Sequence, residues 1–330
     1  MTETDLQKQL FISIKNSLPA HISLVDSIAD LLNISYDSVY RRLRGEKPVS
    51  LNELKILCEH FNLSLDQILE FKSDTVVFNA PEINSINFEF TEYLYGVLKQ
   101  MKYFNSYKKR QLLYQCKDAP LFYFYLFPVI GAFKTFCWKK TLLDDPAYRN
   151  KIFSIKEFPF DDCYRIGQEI IKEYCILPSI ELWNFETLNS TINQIEYYRD
   201  AGLFKSQEDF LEVIASYNKF LDHLEEQAKI GLKFMPGATE ISYKETFKFY
   251  INEVLLGNNS IIAELDDQQL SIITYNALNY LLTRDNRFGD KLHQGFNTLT
   301  SRSTLISGTG EKERNRFFRI QREKIAQLVK

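Results

Sequence analysis

Apolar residues recur at helical spacing through the first 72 residues of the chain and predict five short helices. Leu6, Leu10, Ile14 and Leu18 are separated by the intervals that place side chains on one face of a helix. The same spacing predicts four more helices: Leu24 to Leu32, Ser35 to Gly45, Leu51 to Phe61 and Leu65 to Phe71. We therefore expect a small all-helical domain at this end of the chain.

Turn and capping residues mark the ends of these helices. Asn33 lies where the chain must turn after the second helix, a place that often needs the left-handed conformation Asn tolerates. Ser35 is a favourable N-cap for the third helix, and Gly45 is a favourable C-cap. Two capping boxes would open the last two helices, Ser50 with Glu53 and Ser64 with Gln67.

The second and third helices together predict a helix-turn-helix. Small Ala29 would let the third helix cross the second closely, and Ile34 would anchor the turn in the core. In the third helix, Val39 and Leu43 are expected to face inward. Its remaining positions are expected to lie outward or to the side: Tyr36, Asp37, Ser38, Tyr40, Arg41, Arg42 and Arg44.

The count, order and tight connections of the five helices resemble the phage-repressor-like (Cro-type, or XRE) DNA-binding domain. The residues that fall on the pattern of that family are Ile28, Ala29, Leu32, Ile34, Val39 and Gly45. The chain departs from the pattern at Asn33, where the family usually has Gly, and at Arg42, where an apolar residue is usual. The resemblance covers residues 1–72 and implies a lambda-repressor-like domain that binds duplex DNA.

The resemblance implies that the helix after Ser35 enters the major groove, where side chains meet base edges and Arg is the usual partner of guanine. Candidates for base edges are Tyr36, Asp37, Ser38, Arg41 and Arg42, while Arg44 and Lys47 are expected to hold phosphates. With the cap and the adjoining aromatic residue, the expected DNA-binding set is Ser35, Tyr36, Asp37, Ser38, Tyr40, Arg41, Arg42, Arg44 and Lys47. The alternative is that the basic residues form a solvated face of a helical bundle.

The helical pattern is interrupted over residues 73–87, where Pro81 with several Asn and Ser predicts a linker. Residues 88–330 are then expected to form a sensing or dimerisation domain. Its first part predicts helices over Phe88 to Phe104, Lys108 to Cys116, Leu121 to Leu143, Asp161 to Tyr174, Ser179 to Gly202 and Ser206 to Leu232. A solenoid of helical pairs, of the tetratricopeptide kind, is an alternative architecture for residues 88–232.

The pattern changes after Pro236 and predicts short strands. Apolar runs separated by Gly, Asn and Asp suit strands joined by tight turns: Phe247 to Leu256, Ser260 to Glu264 and Leu270 to Tyr275. Part of the first run has helix as its alternative. The predicted fold class is therefore mainly α, with a large helical body and a small β-hairpin or meander near residues 247–275.

Composition limits the functions that the chain can have. A formal net charge of −3 does not fit a general nucleic-acid coat, so DNA binding needs a local patch. Residues 33–48 supply one, with four basic groups against two acidic groups. The five cysteines and four histidines lack metal-site spacing, so neither a metal nor a cofactor is expected, and reduced cysteines are expected in a cytoplasmic protein. The N-terminus does not have a signal-peptide pattern.

Two apolar stretches of the body are expected to lie in its core. Ala119 to Phe133 is uncharged, but a membrane span needs roughly 20 apolar residues, so a buried helix or a subunit interface is expected and no membrane partner. The helix from Ser206 to Leu232 has one broad apolar face, which suits either core or a dimer seam.

The C-terminal end is basic, because residues 284–330 hold eleven Lys and Arg against five acidic residues, an excess of +6. A last helix is predicted from Glu311 to Val329. Its apolar side holds Phe317, Phe318, Ile325, Leu328 and Val329, and its basic side holds Lys312, Arg316, Arg319 and Arg322. The basic side is expected either to stay in water or to add secondary phosphate contacts on DNA.

The sequence has no catalytic ordering, paired carboxylate motif or phosphate loop, so an enzyme is not expected. We expect a sequence-specific DNA-binding transcription regulator, a homodimer, whose body binds a small-molecule or protein effector or serves oligomerisation. The alternative is a DNA-tethered interaction scaffold without a small-molecule ligand. Aromatic residues, at 14%, could line an apolar pocket, but aromatic helices more often form an ordinary core.

Overall fold

A computed structural model describes residues 3–19, 22–61, 63, 65–68, 75–80, 89–158, 161–238, 247–254, 257–276 and 278–329. Residues 3–68, here called the head, form five helices in their described part. They are α1 (Glu3–Ser17), α2 (Leu24–Leu32), α3 (Tyr36–Leu43), α4 (Leu51–Phe61) and α5 (Leu65–Ile68). The predicted N-terminal helices are therefore confirmed, and the predicted end at Phe71 lies outside the described residues.

The head has its own apolar core. Ile14, Ile28, Val39 and Leu57, from four different helices, are fully buried in it. The apolar periodicity of the sequence predicted Ile14, Ile28 and Val39 as inward residues, because each lies on the apolar stripe of its own helix. The predicted capping box of Ser64 with Gln67 involves side chains outside the described part of the chain.

Residues 89–329, here called the body, contain seven α-helices in the part that the structure describes. They are α6 (Phe90–Asn105), α7 (Pro128–Cys137), α8 (Asp161–Cys175), α9 (Asn189–Asp200), α10 (Gln207–Ile230), α11 (Asn286–Ser301) and α12 (Glu311–Ala326). Short 3-10 helices cover Leu121–Leu126 and Gln327–Val329, and a π-helical turn covers Trp138–Leu142. The helices predicted to begin near residues 88, 161 and 206 are confirmed.

Within the described residues, seven strands form one mixed sheet in the order β6-β5-β4-β1-β2-β3-β7. The strands are β1 (Arg110–Gln115), β2 (Ser179–Trp183), β3 (Phe247–Ile251), β4 (Ser260–Leu265), β5 (Gln268–Thr274), β6 (Tyr280–Thr283) and β7 (Thr304–Leu305). The central strands β1, β2 and β3 are parallel to one another, and every other pairing is antiparallel.

The prediction of a large helical body with a small β-hairpin or meander is confirmed only in part, because helices predominate but a seven-strand sheet runs through the middle of the body. Two predicted helices fail: Lys108 to Cys116 contains β1, and Ser179 to Gly202 begins with β2 before α9. Both strands are covered on their two faces, so their apolar residues form continuous runs that periodicity does not distinguish from a short buried helix. The alternative of a helical solenoid is excluded by the same strands.

Helices cover the two faces of the sheet unequally. On one face, Leu113, Leu182 and Ile262 pack against Phe296 of α11. The opposite face, which includes Leu112 and Phe249, adjoins the main core, to which α6, α7, α8, α9, α10 and α12 all contribute. The body is thus a layered α/β structure.

The predicted β region near residues 247–275 is confirmed as strand, but its connectivity differs from the prediction. β4 and β5 form the expected hairpin, with Leu265 paired to Gln268. β3 does not join this hairpin, because it pairs with β2 and β7, while β4 pairs with β1. The parallel partners of β3 come from distant parts of the chain, which a pattern of local turns does not reveal.

The uncharged stretch from Ala119 to Phe133 is core, as one of its two readings predicted. Its residues from Phe122 to Leu126 and from Ile130 to Phe133 are buried. The apolar face of α10 is also buried within the same chain, so this face belongs to the core and is not a dimer seam. Among the described residues, none of the helices has both the length and the apolar content to cross a bilayer.

The predicted linker is described over residues 75–80, which run along the edge of the sheet. Asn79 forms an isolated antiparallel bridge with Leu282 of β6, and Phe78 meets Phe288 edge-on at 5.1 Å between ring centroids. The domain boundaries at residues 72 and 88 fall among or beside residues outside the description and stay predictions.

Candidate functional site

The start of α3 has the turn geometry that its sequence predicts. Asn33 adopts the left-handed conformation with φ 51° and ψ 52°. Ser35 is the N-cap, and its Oγ accepts a hydrogen bond of 3.3 Å from the Ser38 amide. Gly45, just beyond the helix, has φ +78°. These ends hold α3 as a short, separate helix on the surface of the head.

Four side chains of α3 form one exposed stripe, here called the recognition surface: Tyr36, Asp37, Tyr40 and Arg41. Tyr36 is 55% exposed and Tyr40 is 49% exposed, although both are large aromatic residues. The residue pairs 36/40 and 37/41 are one helical turn apart, so the stripe is continuous along the helix. An exposed stripe with two phenols, a guanidinium and a carboxylate can donate and accept hydrogen bonds at base edges.

Arg42 does not belong to this surface, and the expectation that it faces outward is wrong. It is only 2% exposed, since it lies three residues after Val39 on the inward face of α3. Its Nη2 bonds Glu53 Oε1 at 2.6 Å, and its Nη1 donates to the Ser38 carbonyl oxygen at 3.0 Å. Arg42 therefore ties α3 to α4 and is not available to a base in this structure.

Glu53 joins two predicted features. It accepts from the Ser50 amide at 2.9 Å and donates its own amide to Ser50 Oγ at 3.3 Å, which confirms the capping box of α4. Burial acts to raise the pKa of Glu53, but the hydrogen bonds from Arg42 and Ser50 outweigh it, so the pKa lies below its usual value.

The two residues expected on phosphates, Arg44 and Lys47, are exposed beyond α3, but Arg44 is already paired with an acidic neighbour, Glu46. Glu46 accepts from Arg44 Nε at 2.6 Å and lies 3.9 Å from Arg41 Nε. The hydrogen bond from Arg44 lowers the pKa of Glu46, which keeps this carboxylate charged. Glu46 would therefore compete with a DNA phosphate for both guanidinium groups.

Gln7 of α1 fixes the loop after α3, and the sequence analysis did not single it out. Its Nε2 donates to the carbonyl oxygens of Arg42 at 2.7 Å and Lys47 at 2.9 Å, while its Oε1 accepts from the Val49 amide at 2.9 Å. A lone Gln in an amphipathic helix gives no signal by spacing, because its partners lie at least 35 positions away along the chain.

The other end of α1 contacts the body. The Asn16 carbonyl oxygen accepts from Tyr103 Oη at 3.1 Å and from Arg284 Nη1 at 2.9 Å. Tyr103 lies near the end of α6, and Arg284 follows β6 directly. Arg284 Nη2 also donates to Tyr103 Oη at 3.3 Å, so the two body residues form one docking point for α1.

Helix α12 docks on the body by the apolar side that its sequence predicts. Phe317, Phe318, Ile325 and Leu328 are buried, although Val329, expected on the same side, is 51% exposed. Its basic side is paired within the chain: Arg316 with Glu253, Arg319 with Glu323, and Arg322 with Asp222 and Glu225. Lys312 is exposed. The secondary phosphate contacts expected at Lys312, Arg316, Arg319 and Arg322 stay a prediction.

A cavity of about 190 Å³ lies inside the body, and the sequence analysis did not locate it. Its walls come from one side of α6, from the main-core face of the sheet and from the Leu121–Leu126 turn. Lys134 of α7 lines it and is only 3% exposed. Lys134 Nζ donates to Gln194 Oε1 at 2.6 Å and Thr191 Oγ1 at 3.1 Å.

Cysteine and histidine chemistry does not mark a further site in the described residues. The cysteines are free, and burial raises the pKa of Cys116, Cys137, Cys163 and Cys175. A search of the described residues finds no group of three or more His, Cys, Asp and Glu side chains placed to hold a metal ion.

Comparison with known proteins identifies the family of the head from residue 20 onward. Residues 20–85 match the BetR domain family, and this range contains α2, α3, α4 and α5 with the capping residues described above. Neither the curated proteins nor the solved structures give a match to this chain. The N-terminal region of the chain is thus a BetR domain, an XRE/Cro-like helix-turn-helix DNA-binding domain.

Proposed function

We propose that this protein is a sequence-specific transcription regulator in which the head binds duplex DNA and the body senses a small molecule. The observation that carries the proposal is the recognition surface of α3, displayed on a domain of a DNA-binding family. In this domain class the second helix of the helix-turn-helix lies in the major groove with its outward side chains on base edges. Tyr36, Asp37, Tyr40 and Arg41 are the side chains in that position.

The cavity favours a sensing body over a scaffold that binds protein alone. A scaffold has no need of an internal space with a buried lysine, whose desolvation is costly. We further propose that the body is not catalytic. We propose also that two chains associate, because a single head contacts one half-site and two heads are needed for a two-fold operator.

Genomic footprinting of the tagged full chain tests the proposal. We expect discrete sites built of two half-sites about one or more helical turns apart. Arg41→Ala should lower the binding preference for such a site over a scrambled duplex by roughly 1–3 kcal/mol for each lost base contact.

The matched control is Arg165→Ala, which removes an exposed arginine from α8 of the body and should leave the preference unchanged. The absence of discrete sites, or an unchanged preference in Arg41→Ala, would contradict DNA reading by α3. Single asymmetric half-sites would contradict the dimer.

A further inference from the structure

We propose that the cavity of the body binds a small organic anion, a monocarboxylate with an apolar or aromatic tail, whose carboxylate pairs with Lys134. We propose also that binding there is transmitted to the head through α6 and β6. The proposal deepens the proposed function, and its regulatory half rests on DNA binding by the head.

The chemistry at Lys134 favours an anion. In the described residues, no carboxylate lies within 4 Å of its Nζ, which has only a neutral amide and a hydroxyl as hydrogen-bond partners. The rings of Phe124 and Trp138 lie 4.6 Å and 5.1 Å from the same atom. An ammonium with three donors and two neutral acceptors keeps capacity for one more, and a carboxylate gives the strongest hydrogen bond to a charged donor.

Burial lowers the pKa of Lys134 to about 8, while Cys137 and Asp118 act to raise it. The side chain is thus mostly protonated near neutral pH. Asp118 also lines the cavity, but no ion pair joins its carboxylate to Lys134. A buried protonated lysine without a carboxylate partner is destabilising, and a bound carboxylate would remove that cost.

Most of the remaining wall is apolar and selects an apolar body of limited size. Val97 and Met101 of α6, Leu112 of β1 and Ile272 of β5 surround the space. A volume of about 190 Å³ is somewhat larger than the ~150 Å³ apolar cavity that accepts benzene. Benzoate, a benzene ring with one carboxylate, is therefore a probe of suitable size and charge.

The walls of the cavity are also the elements that hold the head. Tyr93, Val97, Met101 and Phe104 of α6 line the space, and Tyr103 of the same helix bonds Asn16 of α1. β6 provides a second connection of the same kind. Its first residue, Tyr280, lines the cavity, and Arg284, which follows its last residue, donates to the same carbonyl oxygen of Asn16.

From this docking point α1 leads to the recognition helix. Asn16 lies in the last turn of α1, and Gln7, near its other end, holds the backbone after α3 at Arg42 and Lys47. A ligand that moves α6 or β6 against the other walls would therefore displace α1 and, through Gln7, the end of α3. A shift of this kind needs the ligand to bind the two arrangements with different affinity.

Calorimetric titration of the full chain at pH 7 with benzoate and with neutral benzyl alcohol tests the binding half. We expect wild type to bind benzoate at least about tenfold more tightly, since only benzoate offers a charged acceptor. Lys134→Met should lose this preference and keep benzyl alcohol binding. The matched control, Lys139→Met, makes the same change on the turn after α7 at a residue outside the cavity lining and should keep the preference.

Equal affinity of wild type for the two probes, or no binding of either, overturns the anion site without the use of any variant. A benzoate preference retained in Lys134→Met overturns the role of the lysine. DNA affinity with and without saturating benzoate is measured separately on the footprinted sites. Benzoate binding with unchanged DNA affinity overturns only the transmission to the head, and absent DNA sites overturn the proposed function while the anion site stands.

Discussion

Arg42 is the residue whose environment changes the interpretation of the head most. It occupies a position where the XRE pattern usually has an apolar residue, and it is buried there with its charge paired to Glu53. A buried charge that loses its partner is strongly destabilising. Its position in α3 therefore serves the fold of the head, and under the proposed function base reading is left to exposed neighbours such as Tyr40 and Arg41.

Replacing Arg42 should unfold the head locally instead of changing base preference. Arg42→Met leaves Glu53 without its partner, and we expect a loss of about 3 kcal/mol of local stability. Hydrogen exchange of the α3 and α4 amides in the full chain should then be about a hundredfold faster at pH 7. Unchanged exchange with altered base preference would show that Arg42 reads DNA.

The Glu53 carboxylate predicts how the head responds to acid. Its folded pKa is lowered, so the stability it contributes is full above its unfolded pKa, about 4.3, and is lost as pH falls through the folded value. The protection factors of the α3 and α4 amides, which correct the exchange rates for the pH dependence of the chemical exchange step, should therefore fall below about pH 4.3 in wild type. Glu53→Gln should lack this acid-dependent step, and the control Glu59→Gln, at an exposed position of α4, should keep it.

At the scale of the element, the end of α3 combines cations with an internal anion. Glu46 pairs with Arg44 and lies near Arg41, so the basic charge at the end of α3 is partly neutralised within the chain. Helix α12 is similar, because three of its four outward basic residues have acidic partners within the chain. Local counts of basic residues therefore overstate the charge that either helix presents to DNA.

Removing this internal anion should strengthen DNA binding. We expect Glu46→Gln to raise affinity for every duplex sequence by roughly two- to fivefold at low salt, since surface pairs are weak, with base preference unchanged. Fluorescence anisotropy over a salt series measures both quantities. Glu59→Gln is again the matched control, and a change confined to one sequence would indicate that Glu46 contacts a base.

At the scale of the whole molecule, head and body are joined by backbone pairing as well as by side chains. Residues 75–80 run beside β6, and Asn16 of the head accepts hydrogen bonds from Tyr103 and Arg284 of the body. The body is thereby attached to the head next to the walls of its cavity.

Tyr103→Phe should separate ligand binding from DNA binding. The change removes one hydroxyl, which bonds Asn16, Tyr107 and Arg284, and leaves the ring in place. We expect benzoate affinity within about twofold of wild type and a smaller effect of benzoate on DNA affinity. The reason is that this hydroxyl belongs to the proposed connection between the two sites, so its loss should change their coupling more than the binding of benzoate itself. Tyr95→Phe, on an exposed face of α6, is the control, and an undiminished benzoate effect in Tyr103→Phe would exclude this hydroxyl from the connection.

The sequence by itself determined the head and the helices of the body that have one apolar face. Asn33, Ser35, Gly45 and the Ser50–Glu53 pair act on neighbouring backbone, so their effect is local and visible as spacing. The apolar stripes of α6, α8 and α10 are visible for the same reason, because a helix with one buried face repeats every three to four residues.

Tertiary structure alone decided the sheet, the burial of Arg42 and the cavity. β1 and β2 pair in parallel across more than 60 positions of chain and are covered on both faces, which erases any alternation. Arg42 pairs with Glu53 of α4, and Gln7 of α1 bonds the distant Val49 amide between α3 and α4. The cavity needs α6, α7, α9 and the sheet to meet. Such features depend on which distant residues become neighbours, and spacing along the chain does not encode that.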